Sequence, residues 1–162
     1  MKRTFQALTV AAALTVFGQV SWAQDFEKGL EAYNNGDYDA ALEEWRPLAE
    51  QGYARTQYLL GWMYDNGLSV PSDYAEARKW YRLAAEQRDT TALNRLGVIY
   101  FYGRNVSQDY DYAFMWYSLA ASLGDGWSIK DRDRAAALMT PEDISKAQAL
   151  AAECVAKNYK GC

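Results

Sequence analysis

The sequence predicts an all-α fold: a short solenoid of stacked helix pairs closed by a C-terminal capping helix. Three observations predict it. The chain matches itself when slid by 36 residues, and self-similarity at such a period means stacked supersecondary units. Within each period the apolar residues recur at helical spacing. The chain is rich in alanine and holds only three prolines, a composition that favours helix.

The repeat sets the elements. "LGWMYDNGLSVPSDYAEARKWYRLAAEQRD", from Leu60 to Asp89, lies over "LGVIYFYGRNVSQDYDYAFMWYSLAASLGD", from Leu96 to Asp125. Leu60, Gly61, Tyr64, Gly67, Val70, Asp73, Tyr74, Ala77, Trp80, Tyr81, Leu83, Ala84 and Ala85 all recur in the second copy. An earlier unit is more divergent: Asp37, Tyr38, Ala41, Trp45 and Ala49 precede Asp73, Tyr74, Ala77, Tyr81 and Ala85 by the same interval, across a shorter turn, "NNGD".

Each unit reads as two helices. Thr56, Leu60, Gly61 and Tyr64 share one helix face. Gly67 ends that helix as a left-handed cap, and Asp73 is a good N-cap for the next. There Tyr74, Ala77, Tyr81, Ala84 and Ala85 form one face. The same reasoning predicts helices near Asp25–Asn34, Tyr38–Gln51, Thr91–Tyr102 and Tyr110–Leu123. Pro47 falls inside one of these, where proline costs about 3 kcal/mol, so a kink is expected.

The repeat fails at the C-terminal end, where Arg132 and Asp133 stand in place of Leu96 and Gly97. A helix with a charged face is expected over Trp127–Leu138. "TPED" then opens the last helix, with Thr140 as N-cap, Pro141 at the first helical position and Asp143 at the capping-box position. Ile144, Ala147, Ala151 and Cys154 form its apolar stripe. A more polar last unit is what an open solenoid end requires.

The first 23 residues differ from the rest. Lys2 and Arg3 precede an apolar run from Ala7 to Phe17, then "SWA". This pattern predicts a secretory signal peptide cleaved between Ala23 and Gln24. The run is short of the roughly 20 residues a membrane span needs, and no cysteine follows the cleavage site to carry a lipid. The mature chain is expected in the periplasm or outside the cell, without stable membrane insertion.

Charge and residue types exclude several functions. Removing residues 1–23 leaves 15 basic against 21 acidic residues, a net of −6. Such a chain, with no dense Lys/Arg patch, is not built for nucleic acid. It has no histidine, which removes the commonest general base and the commonest zinc ligand. Glu43, Glu44, Asp65, Asp131, Asp133, Glu142 and Asp143 read as solvated faces and caps rather than a hydrolase pair. No cofactor and no metal site are expected. Gly61 and Gly67 lack the spacing, the Lys and the preceding strand of a phosphate loop. Gly61 reads instead as a packing glycine that lets a bulky side chain approach.

"CVAKNYKGC" holds both cysteines, and an even count in an exported chain favours a bridge between Cys154 and Cys162. On one continuous helix they would lie about 12 Å apart, beyond the Cα separation of about 7 Å that a bridge tolerates. The helix must therefore end near Lys157 or Asn158, and Tyr159–Cys162 must fold back. Separate thiols, or a bridge to another chain, are the alternatives.

The pattern L-G-x-x-Y-x-x-G-x-x-V-x-x-D-x-x-x-A-x-x-W-Y-x-x-A-A runs through both full copies. It resembles the Sel1-like repeats, relatives of the tetratricopeptide repeats, and "GDYDAALEEWRPLAEQG" looks more like a tetratricopeptide pair. The resemblance implies a right-handed α-α superhelix of Sel1-like and tetratricopeptide-like helix pairs. Its divisions would be a signal peptide (1–23), a tetratricopeptide-like pair (24–53), Sel1-like repeats (54–89 and 90–125), and a degenerate repeat with the cap (126–162). It implies an adaptor that holds a protein partner through the concave face. A cysteine-rich branch of the family is associated with β-lactam binding; this chain lacks cysteines within its repeats, so that activity does not carry over.

In tetratricopeptide-like stacks the first helices line the concave side. There, opposite the repeat residues, stand Tyr58, Trp62 and Asp65 on one helix and Asn94, Val98 and Phe101 on the next. Exposed aromatic residues in such places are candidate hot spots for a partner, although Trp62 could equally fold over a neighbouring helix. Trp62 and Asp65 in particular have no evident structural role in the sequence. The reading is thus an exported, non-catalytic, monomeric interaction module. The competing reading is a cell-envelope hydrolase or a peptidoglycan- or β-lactam-binding protein.

Overall fold

A computed structural model describes residues 23–162. Within them the chain forms eight helices and no strand. They are α1 (23–34), α2 (Tyr38–Glu50), α3 (Ala54–Asn66), α4 (Tyr74–Ala85), α5 (Thr90–Tyr102), α6 (Tyr110–Ser122), α7 (Gly126–Ala136) and α8 (Pro141–Ala156). The expected signal peptide lies outside the described residues except for Ala23, which with Gln24 opens α1. None of the described helices is long and apolar enough to cross a membrane.

The helices form an all-α solenoid in which consecutive helices from α2 to α7 pack against one another, and α8 packs on α6. First helices α1, α3, α5 and α7 alternate with second helices α2, α4, α6 and α8. Acidic N-caps punctuate the series. Asp37, Asp73, Asp89, Asp109 and Asp125 each accept a backbone N–H of the helix they open, an interaction that stabilises a helix start by about 1 kcal/mol. Thr140 and Asp143 form the reciprocal capping box at α8.

The two matched units close alike because their sequences do. Gly67 and Gly103 both cap in the left-handed region, at φ 67°, which L side chains avoid. The backbone N–H of Asp73 then reaches the Tyr64 carbonyl, and that of Asp109 the Tyr100 carbonyl. Glycine–aromatic interlocks hold each pair together. A Cβ on Gly61 would stand 2.6 Å from the Tyr81 ring, and one on Gly97 2.5 Å from the Tyr117 ring. Gly29 and Trp45 repeat the device in the first unit. Gly61 is a packing residue, as its mid-helix position implied, and Gly29 and Gly97 pack the same way.

A second device bridges neighbouring units. Arg46 Nη2 donates to the Tyr64 hydroxyl at 3.2 Å, and Arg82 Nη2, 36 residues later, donates to the Tyr100 hydroxyl at 3.1 Å. Each bond joins a second helix to the first helix of the following unit. At Pro47 the helix runs on to Glu50. The carbonyl of Glu43 loses its usual donor, and both residues lie on the exposed side of α2.

At the C-terminus the chain folds back as the cysteine spacing required. Lys157 caps α8, Asn158 and Tyr159 take positive φ, and Cys154 and Cys162 are bonded with Cα atoms 5.5 Å apart. The reversal tucks Tyr159 into the core cluster, with the Arg88 guanidinium 5.3 Å from its ring centre.

Candidate partner-binding face

The first helices lie side by side, and arginine–aromatic contacts link one to the next. Arg55 of α3 lies 5.5 Å from the ring centre of Phe26 on α1. Arg95 of α5 lies 4.5 Å from that of Trp62 on α3. Arg134 of α7 lies 4.8 Å from that of Phe101 on α5. Each such cation–π contact contributes about 0.5–1 kcal/mol when exposed and more when desolvated. The row ties α1, α3, α5 and α7 together and presents alternating cations and rings.

Trp62 is the centre of the row. Its indole N–H donates to the Tyr33 hydroxyl of α1 at 3.1 Å, and Arg95 covers its ring. Trp62 is half-buried: it folds over its neighbours and keeps part of its surface exposed. Tyr58, one turn earlier, packs 5.9 Å from the Tyr81 ring. Burial holds the Tyr58 phenol above its ordinary pKa, and the Arg95 guanidinium beside it partly offsets that rise. Arg95 forms no ion pair with any carboxylate among the described residues, and its Nε is buried without an acceptor. Sequence reasoning missed this arginine because it sits between two helix faces, next to Asn94.

The remaining expected residues divide. Asn94 Nδ2 donates to Ser128 Oγ at 2.9 Å and to Asp131 Oδ2 at 3.1 Å on α7, and Asp131 also pairs with Arg134 at 2.9 Å. Val98 is half-buried beside the Phe101 cluster. Asp65 and Phe101 depart from expectation, since both are buried, at 8 % and 7 % exposure. Asp65 accepts from the Tyr81 hydroxyl at 3.2 Å and pairs with Arg104 at 3.2 Å. Phe101 packs between Tyr110 and Tyr117 under the Arg134 guanidinium. Asp65 therefore has a structural role after all, and Phe101 does not stand exposed.

Three more of the carboxylates singled out in the sequence form surface ion pairs. Asp133 pairs with Arg132, and Glu142 and Asp143 pair with Lys146. No group of three or more His, Cys, Asp or Glu side chains among the described residues is placed to hold a metal ion.

The sequence pattern of the Sel1 repeat matches residues 54–89 and 90–125. A Sel1 repeat protein from Oxalobacter formigenes shares 34 % identity with the chain; the match covers 70 % of this chain and 88 % of that one, at a TM-score of 0.62. The chain belongs to the Sel1 repeat family. The Sel1 architecture here also resembles a protective antigen of uropathogenic Escherichia coli strains described as displaying an SLR fold, with TM-score 0.78 and 25 % identity over 85 % of this chain. The Sel1 chain described here spans 31 % of that antigen's length. No curated protein matches the chain. A Sel1 solenoid is consistent with a protein–protein interaction module, and such scaffolds are typically non-catalytic.

Proposed function

We propose that this Sel1 repeat chain is an exported, monomeric, non-catalytic module that holds a protein partner against the face built by α1, α3, α5 and α7. The contacts assigned to the partner are Tyr58, Trp62, Asn94 and Val98, with Arg95 added from the structure. Asp65 and Phe101 support that face from beneath. One observation carries the reading: a half-buried tryptophan is stacked with an arginine that has no carboxylate partner among the described residues. Trp, Tyr and Arg dominate the energetics of protein interfaces. An arginine already held on a ring loses little freedom when it meets a carboxylate. The bridge between Cys154 and Cys162 supports export, because such bonds persist in oxidising compartments.

The test is site-specific photo-crosslinking in the native envelope. A photoreactive residue at position 62 should give adducts of discrete mass, identifiable by mass spectrometry. The same residue at the exposed Glu43 position on α2 should not. Equal labelling from both positions, or none from either, would count against the proposal.

A further inference from the structure

A second feature lies apart from the arginine–aromatic row. Ala75, Arg78, Lys79, Arg82 and Leu83 of α4, with Tyr100 of α5 and Val106 of the following turn, line an open groove of about 600 Å³. Its wall holds three cations and no carboxylate, on a chain whose mature net charge is −6. Arg78 makes no hydrogen bond or ion pair among the described residues, and its Nη1 is buried without an acceptor, as is Nε of Arg82. Lys79 is exposed and pairs with Glu76 at 3.1 Å.

The repeat separates what the fold demands from what this groove adds. Arg82 and Tyr100 recur as Arg46 and Tyr64, bonded the same way, so that pair is architectural. Arg78 and Lys79 do not recur: the preceding unit places Leu42 and Glu43 there, and the following unit Phe114 and Met115. Ala75 is replaced by Asp39 and Asp111 in those units. The groove is basic in one unit alone, at positions where the solenoid is built equally well from apolar or acidic residues. Guanidinium N–H groups buried without acceptors are costly unless something fills them.

We propose that this groove is a docking site for an acidic peptide segment, with Arg78 and Arg82 taking carboxylate oxygens and Lys79 adding charge at the rim. Charge complementarity selects the occupant. The volume far exceeds that of a small inorganic anion, and the apolar wall of Ala75, Leu83, Tyr100 and Val106 suits the aliphatic stems of glutamate side chains. Guanidinium groups match carboxylates in a bidentate fashion, which gives the site geometry as well as charge.

The experiment is an NMR titration of the mature chain with a blocked tetraglutamate peptide, with inorganic phosphate and a tetralysine peptide as controls. Tetraglutamate should give saturable shifts centred on the amides of Ala75, Arg78, Lys79 and Val106, weakening as salt rises. The double variant Arg78→Leu, Lys79→Glu copies the preceding unit and leaves the Arg82–Tyr100 bond in place; it should lose at least tenfold in affinity with unchanged helicity. Should that variant fail to fold, Lys79→Glu alone, at an exposed site, should weaken binding severalfold. Non-saturable shifts, shifts centred elsewhere, binding of phosphate but not peptide, or a salt-sensitive dimer of the chain filling the groove would each overturn the proposal.

Discussion

The guanidinium of Arg95 lies 4.5 Å from the ring centre of Trp62, while the same indole donates to Tyr33 on the other side. One side chain on α3 therefore joins three successive first helices. Trp62→Phe keeps a ring for Arg95 but removes the donor; it should cost about 0.5–1.5 kcal/mol in a urea melt, the net worth of one hydrogen bond. Trp62→Ala should cost about 3–5 kcal/mol if the site behaves as buried core, and less to the extent that its exposed half loses nothing. A Trp62→Ala chain as stable as the parent would show that the indole is only decoration.

Gly61 and Gly126 make a matched contrast. A methyl at Gly61 meets the Tyr81 ring at 2.6 Å, whereas one at Gly126 meets nothing within 4 Å. Gly61→Ala should destabilise by about 1–3 kcal/mol through overpacking. Gly126→Ala, in the first turn of α7, should stabilise by about 0.4–1 kcal/mol by restricting the unfolded chain. Thermal melts of the two variants read the opposite signs directly.

The bridge between Cys154 and Cys162 closes a short loop and pins Tyr159 in the core. Reduction should raise the mass of the protein by that of two hydrogens, and it should lower stability by about 2–3 kcal/mol in the entropic account. A mass unchanged by reductant would contradict the internal bond.

Alkaline pH tests the buried tyrosines. Burial, reinforced by the nearby Asp65 charge, holds the Tyr81 phenol well above its ordinary range; burial, then Asp131, does the same for Tyr117. A folded-state pKa above the unfolded value gives stability that is complete below the unfolded value, about 10 for tyrosine. That stability is lost as pH rises from there toward the folded values. Melting temperature should therefore fall above that pH, and Tyr81→Phe should shallow the fall. Ultraviolet titration should show the two phenols ionising only with unfolding.

Much of the solenoid was legible because the repeat writes each constraint twice. The helix stops at Gly67 and Gly103, the aspartate caps and the glycine–tyrosine interlocks all recur at one interval. The site was legible only in part. Asp65 and Phe101 were placed on the outward face, yet each stands four residues after a packing glycine, Gly61 or Gly97, only about 40° around the helix from it. That spacing was the available sign of burial. What buries them comes from other elements: Tyr81 and Arg104 for Asp65, and Tyr110, Tyr117 and Arg134 for Phe101. No local pattern joins residues on separate elements. Arg46 and Arg82 did recur at the repeat interval, but a cation on a helix reads as solvated surface until its tyrosine partner is seen.

The central claim is that the face carrying Arg95 and Trp62 holds a partner. Isothermal titration of the partner captured at position 62 with the mature chain and its Arg95→Glu variant tests it most directly. At least a tenfold loss of affinity with helicity retained is the predicted result. Equal affinity of a folded Arg95→Glu chain would contradict the claim.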